Sequence, residues 1–340
     1  MIPNPVTALL IFAGLTLITL TIIWIMKTDT WKLKFRSKDI LKTKIEDILK
    51  QLYHVEYGGK RATLNAMAGA LKIEYSKLVP VIEYMAGSEL INVKENAIIL
   101  TEEGRDYALK IIRIHRLWEK YLSEKTGIHK SEWHQRAEKM EHTLTNEEAE
   151  LLYRQLGSPR FDPHGDPIPT KTGDIIQTHN QPLCSLKVGD SAKIMHIEDE
   201  PAVIYKQLIK EKLHIGQYLK VIKSSENNVT FISEGNQHKL SHIVASNIGV
   251  RTLSEEEVFE KEKVRLSALD KGEKAIVVGI SKECRGANRR RLMDFGFING
   301  AEIVTEMKSP SGEPKAYLIK NTLIALRDDQ ADLILIEKVA

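Results

Sequence analysis

Cysteine is almost missing from these 340 residues: only Cys184 and Cys284 occur, far apart in the chain. That excludes a disulfide framework and a thiolate metal centre, and it fits a reducing compartment. An excess of charge is also missing, since 49 basic residues face 46 acidic ones and the formal net charge is +3. Any nucleic-acid surface must therefore be local. Disorder is excluded by a hydrophobic content of 42%, which over this length supports two or three domains with their own cores.

Charge is wholly absent from "VTALLIFAGLTLITLTIIWIM", residues 6–26. As a helix it spans roughly 31 Å, close to the thickness of a hydrocarbon core. No basic residue precedes it, whereas Lys27, Lys32, Lys34, Arg36 and Lys38 follow, so the expected topology is one transmembrane helix rather than a cleaved leader. The rest of the chain then faces the cytoplasm from the inner (cytoplasmic) membrane. Residues 1–5 are a short tail before this helix, and 27–38 a basic juxtamembrane linker.

Apolar periodicity predicts a helix from about Ile40 to Tyr53, helices around 62–72 and 76–86, and two short strands turning at Glu95 and Asn96. Three helices and a hairpin over 39–104 are the order of a winged helix. Long helical patterns follow from Glu103 to Lys125 and from Ser131 to Leu156, giving an all-α domain over 105–158. The prolines of "GSPRFDPHGDPIPTKTGD" then break the periodicity, so 159–180 are expected as a boundary or a spacer lying over another domain. Beyond it the chain repeats: "LCSLKVGDSAKIMHI" from Leu183 and "LSALDKGEKAIVVGI" from Leu266 share residue types at the same offsets. Leu208, Leu213, Gly216 and Leu219 likewise match Leu292, Phe297, Gly300 and Ile303. Two small β-barrels, 181–252 and 264–340, joined by an acidic linker at 253–263, complete a multidomain α+β architecture.

The chemistry concentrates in "EWHQRAEKMEHTLTNEE". A helix there puts His134, Glu138, Glu141 and His142 on one face. Alone, such a stripe can be a solvated surface, because exposed carboxylates at this spacing repel only weakly. The segment "IIRIHRLWEKYL" adds His115 and Glu119 at i, i+4 on a helix expected to pack alongside. Carboxylates forced to about 4 Å would cost around 4 kcal/mol per pair at an effective dielectric of about 20, and a divalent cation is the usual remedy. Nitrogen and oxygen ligands suit Mn2+ or Fe2+, and Zn2+ also accepts them.

Residues 40–170 resemble the diphtheria toxin repressor and manganese transport regulator family, through "IEDILKQLY", "HRLWEKYL", "HQRAEKMEHTLT" and "PHGDPIP" at the end of the dimerisation domain. The resemblance implies a homodimeric winged-helix repressor switched on by Fe2+ or Mn2+. It assigns Asp47, Glu138, Glu141 and His142 to a primary metal site and His115, Glu119 and His134 to an ancillary one. Some members complete the ancillary site from the C-terminal barrel, where "HIEDEP" offers Glu198 or Glu200. Carboxylates at Asp47 and Glu138 lean toward Mn2+, while Lys50 stands where the manganese type has a further carboxylate, which favours one metal per site. Residues 264–338 resemble the FeoA-like barrel associated with ferrous-iron transport, and the first repeat is a more distant version of it.

The expected recognition helix is "SKLVPVIEYMA", with Ser76 as N-cap and Lys77 in its first turn. Ser76, Lys77, Lys60 and Arg61 are candidates for holding backbone phosphates. Leu78, Val79, Val81 and Ile82 offer no bidentate base-reading group, and residues 60–100 hold five basic and four acidic side chains. Two readings follow. In the first, this is a membrane-anchored, Mn2+- or Fe2+-dependent transcriptional regulator binding double-stranded operator DNA. In the second, it is a metal-sensing accessory of a membrane metal transporter, without DNA. No nucleophile and base pair points to an enzyme.

Overall fold

The computed structural model describes residues 5–27, 29–95, 97–253, 264–281, 284–310 and 312–339, with side chains of the first two helices at 6, 7, 9–21, 23, 24 and from 39 onward. It falls into two units, Met1–Ile111 and Ile112–Ala340.

The first unit begins with helices α1 (Pro5–Lys27) and α2 (Asp29–Tyr57). Among the described residues no helix is long and apolar enough to cross a membrane. The expected span at 6–26 lies within α1, but its side chains at Ala8, Ile22, Ile25 and Met26 fall outside the described residues, as do those of the basic stretch at 29–38. Along α1 the hydroxyls of Thr16, Thr19 and Thr21 donate back to carbonyls three and four residues earlier. These hydroxyls are thereby satisfied inside the helix.

Next come β1 (Ala62–Thr63), α3 (Leu64–Ala70), α4 (Tyr75–Gly87), β2 (Ile91–Lys94), β3 (Ala97–Leu100) and the start of α5 (Glu102–Lys125). The strands form an antiparallel sheet in the order β1, β3, β2, with Ile91 opposite Leu100. This is the expected winged-helix order, built over Leu49, Leu52, Met67, Leu78, Met85 and Ile98, all at most 1% exposed. Apolar residues at helical spacing drive it, since each buried leucine contributes about 1.5–3 kcal/mol. One detail of α4 differs from expectation. Its N-cap is Glu74, and the Ser76 hydroxyl donates to Glu74 Oε1 at 2.7 Å instead of capping the helix. Pro80 stands in the second turn and removes one helical hydrogen bond.

The second unit opens with the remainder of α5, then α6 (Trp133–Glu141) and α7 (Asn146–Gln155). The single long helix expected from Ser131 to Leu156 is broken. Thr145 starts α7 with a reciprocal capping box to Glu148, and the side chain of Thr145 satisfies the free N–H that an uninterrupted helix would have bonded internally. His142 therefore sits at the C-cap of α6, one residue past the helical face that carries Glu138 and Glu141. Of the two alternatives expected for 159–180, the first part of the stretch takes the second and lies over α5. Ile168 is buried with Ile114 and Leu117 of α5, Arg116 donates to the carbonyl of Pro167 at 2.6 Å, and Phe161 bridges to Pro167.

Two sheet modules follow. The first contains β4 (Gln181–Pro182), β5 (Ser191–Ile197), α8 (Ala202–Lys210), β6 (Tyr218–Ser224), β7 (Asn228–Ser233), β8 (Asn236–Ser241), α9 (His242–Ala245) and β9 (Ile248–Thr252). The second contains β10 (Val264–Arg265), β11 (Lys274–Ile280), α10 (Gly286–Asp294), β12 (Glu302–Lys308), β13 (Lys315–Ile319), β14 (Thr322–Leu326), α11 (Asp328–Ala331) and β15 (Ile334–Lys338). Strand order is β4, β9, β5, β6, β7, β8 in one and β10, β15, β11, β12, β13, β14 in the other, all antiparallel. The sequence repeat is thus a repeat of topology. Its matched glycines have a backbone reason: Gly216 and Gly300 adopt φ of +88° and +84°, where a side chain is strained. The matched leucines and Phe297 fill one core per module. Of the acidic linker, 254–263 lie outside the described residues.

Candidate metal centre

Four segments of the second unit converge on Glu119. Helix α5 carries His115 and Glu119 one turn apart, and α6 brings His134, Glu138 and Glu141. The loop after α7 brings His164, because Asp162 Oδ1 accepts the backbone N–H groups of His164 (2.8 Å) and Asp166 (2.9 Å) and so folds the loop on itself. The connection between β5 and α8 brings Asp199 and Glu200. The loop is pinned to β5, since Ile197 N–H donates to the carbonyl of His164 at 2.9 Å. At Gly165 (φ +94°) a Cβ would stand 2.1 Å from the carbonyl oxygen of Met195, so only glycine permits this approach.

Around Glu119 Oε1 lie His115 Nε2 at 3.3 Å, His134 Nδ1 at 3.5 Å and His164 Nε2 at 3.8 Å. Asp199 Oδ2 approaches His134 Nδ1 at 2.9 Å and His164 Nε2 at 3.8 Å. His134 Nε2 faces Glu138 at 3.5 Å and Glu200 at 3.4 Å. On its far side the His115 ring uses Nδ1 to bond the carboxylate of Glu141, and His142 Nε2 lies 3.7 Å from Glu141. Glu119, Glu141, His164 and His115 are 2 to 6% exposed, whereas the Glu138 side chain is half exposed.

Electrostatics and hydrogen bonding both leave this cluster wanting a cation. Burial works against ionised Glu119, yet the neighbouring imidazoles, His115 first, hold its carboxyl well below the usual range. Burial would also discharge His134, but Asp199, then Glu119, Glu138 and Glu200, raise its pKa far above the ordinary histidine value. Glu119 Oε1, His134 Nδ1 and His164 Nε2 are nonetheless buried without a hydrogen-bond partner. The 2.9 Å approach of Asp199 to His134 is an ion-pair contact. Donor atoms about 3–3.6 Å apart are what bonds of about 2.1 Å to a common ion produce in octahedral or tetrahedral geometry. Nitrogen and carboxylate donors without sulfur fit a hard or borderline divalent cation.

Two sets of three donor groups, each with its donor atoms within 4.8 Å of one another, lie within the unit: His115, Glu119 and His134, and Glu119, His164 and Asp199. The first is the ancillary set expected from sequence. The second was not expected: of "HIEDEP" it is Asp199, between the two glutamates considered, that faces the cluster closely, and His164 of "PHGDPIP" joins it. Glu198 instead interacts with His196 and is pushed up by burial. Of the expected primary set, Glu141 and His142 are adjacent, and Glu141 is tied to His115, so the two sets share a hydrogen bond. Asp47 lies half-buried on α2 in the first unit. Also in the first unit, Lys60, Arg61, Ser76 and Lys77 are exposed, and Lys77 is paired with Glu74 at 3.1 Å.

Two stretches of the chain match known domain families. Residues 101–170 match the iron dependent repressor metal binding and dimerisation domain, and residues 264–338 match the FeoA domain. A probable metal transport system membrane protein of Chlamydia trachomatis is 42% identical over 83 residues, 24% of this chain and 18% of that protein. The iron-dependent repressor IdeR of Mycobacterium bovis is 29% identical over 125 residues, 36% of this chain and 54% of the repressor. The chain thus spans about half the length of that repressor and less than a fifth of the chlamydial protein. The fold of a manganese-dependent transcriptional repressor solved with manganese superposes with a TM-score of 0.55 at 24% identity, covering 60% of this chain and 99% of that one.

Proposed function

We propose that this chain, which resembles the metal-dependent regulators of the diphtheria toxin repressor and manganese regulator type and carries a FeoA domain, senses a divalent metal and regulates transcription. The observation that carries the reading is Glu119, buried among three imidazoles with an oxygen that no hydrogen bond satisfies. His115, Glu119, His134, His164 and Asp199 would hold Mn2+ or Fe2+, and Glu141 with His142 would serve a second position. Asp47 enters through the family resemblance. A bound ion supplies the positive charge that protonated imidazoles otherwise supply. What the chain contributes is the arrangement: α5, α6, the 161–167 loop and the first sheet module are each bound to the others at the ligands themselves.

In this reading the protein is a dimer that binds duplex DNA through α4 when metal is present, and α1 anchors it to a membrane with the folded units in the cytoplasm. The support for an anchor is the uncharged 6–26 run, helical throughout, with Leu9, Leu10, Ile11 and Phe12 each at least 65% exposed. The reading contains no catalytic step.

A second reading, regulation of a metal transporter without DNA, is favoured by α4 itself. Its exposed positions include Tyr75, Glu83 and Tyr84, and Lys77 is already paired with Glu74. The membrane metal-transport name of the chlamydial relative points the same way. One assay separates them: binding of a duplex library by the full chain in detergent, with Mn2+ and with a chelator, across a salt series. The repressor reading expects sequence-preferring binding that appears with Mn2+ and weakens with salt in proportion to phosphates contacted. Weak, non-selective, metal-independent association would leave the transporter reading standing.

A further inference from the structure

The second unit encloses a cavity of about 430 Å3 between the start of α6, α8 of the first sheet module, and the β10 and α10 ends of the second. That volume is in the range of small-ligand pockets, about 300–1,000 Å3. Trp133, Tyr205 and Leu213, all at most 9% exposed, give it an apolar wall.

Two arginines give it a charged one. Arg265 is 2% exposed; Nη1 donates to the carbonyl of Asp332 at 3.1 Å and Nη2 to Glu234 at 2.8 Å, while Nε has no hydrogen-bond partner. A buried guanidinium N–H without an acceptor is costly and rare. Arg285 stacks its guanidinium 4.8 Å from the ring centre of Trp133. Two acidic side chains near these groups are already engaged, Glu234 by Arg265 itself and Asp332 by Lys212 and Ser267.

The repeat shows that the arginines are not demanded by the fold. Arg265 and Arg285 are the N-cap residues of the short helix after β10 and of α10, and at the same two positions the first module has Pro182 and Pro201. Same topology, same capped elements, but at two positions that line this cavity the second module has guanidinium groups where the first has prolines.

We propose that the cavity binds a small organic anion, with an apolar, planar body against Trp133, Tyr205 and Leu213 and a carboxylate accepting from Arg265 Nε and Arg285. The test is titration of the full chain in detergent with 2-naphthoate and with its neutral counterpart 2-naphthalenemethanol, by calorimetry. A chelator is present throughout, so that carboxylate bound to metal does not contribute. Expected is saturable binding of one naphthoate per chain, at least about tenfold weaker for the neutral compound and for Arg285→Gln, as loss of a charge-assisted hydrogen bond gives. Arg285 is partly exposed, and an unchanged thermal midpoint will confirm that the variant folds. Absence of saturable binding, or equal affinity for the neutral compound, or equal affinity in Arg285→Gln, overturns the proposal.

Discussion

At the scale of single residues, Glu119 separates a metal centre from a merely polar core. Glu119→Gln keeps the size but removes the charge that three imidazoles surround. Mn2+ affinity measured by calorimetry should fall by more than the ~10–100-fold typical of losing an outer partner of a ligand. The neighbouring carboxylates make an internal control. Asp199 is 13% exposed and close to two imidazoles, whereas Glu200 is 69% exposed. Asp199→Ala should therefore cost far more affinity than Glu200→Ala, which a surface-pair energy of about 0.2–1 kcal/mol limits to roughly fivefold. An effect of Asp199→Ala as small as that of Glu200→Ala would mean that the β5–α8 connection does not contribute to the site. A pH effect belongs to His196, which burial would discharge but whose contact with Asp166 at 3.4 Å raises its pKa to about 9 from 6.5. Because the folded value is the higher one, the pair's stabilisation is complete below pH 6.5, declines above it and is gone beyond about pH 9. Urea midpoints of wild type and His196→Gln should differ at the acid end of that window and converge at the alkaline end.

At the scale of elements, the sequence was informative where a signal is local and silent where it is not. His115 and Glu119 were legible because one helical turn joins them; His134 was legible through its own stripe and the family pattern. His164 and Asp199 were not, because nothing local places a histidine in a proline-rich loop beside a barrel connection 35 residues later. Periodicity also ran α6 and α7 together, although the Thr145 to Glu148 capping pair was present to mark the break. The same proline-rich stretch shows the reach of composition: its prolines and Gly165 mark a boundary or a spacer lying over another domain, and only the fold shows that they shape a loop packed on α5 and β5. Gly165→Ala tests that placement. A Cβ would meet the Met195 carbonyl at 2.1 Å, so the loop must move from β5, at a cost of about 1–3 kcal/mol. Since His164 is the next residue, Mn2+ affinity should drop as well, while far-ultraviolet circular dichroism of the folded variant stays unchanged. Lost stability with full metal affinity would show that His164 is not a ligand.

At the scale of the whole molecule, the repeat was readable because shared offsets in sequence became shared strand order, down to the positive-φ glycines at 216 and 300. The question left to experiment is how the chain is held in the cell, and two forces compete to explain any membrane association. Lys32, Lys34, Arg36 and Lys38 would bind anionic lipid by charge, an attraction that falls off within a Debye length of about 8 Å at physiological salt. The uncharged 6–26 run would instead insert, and its apolar burial is insensitive to salt. Full chain and a variant starting at Asp39 should be expressed in a bacterial host and the membranes washed with high salt and then with alkaline carbonate. Insertion requires the full chain to stay in the pellet through both washes and the shortened one to be in the supernatant. Release of the full chain by salt alone would make the basic stretch, not α1, responsible for the association.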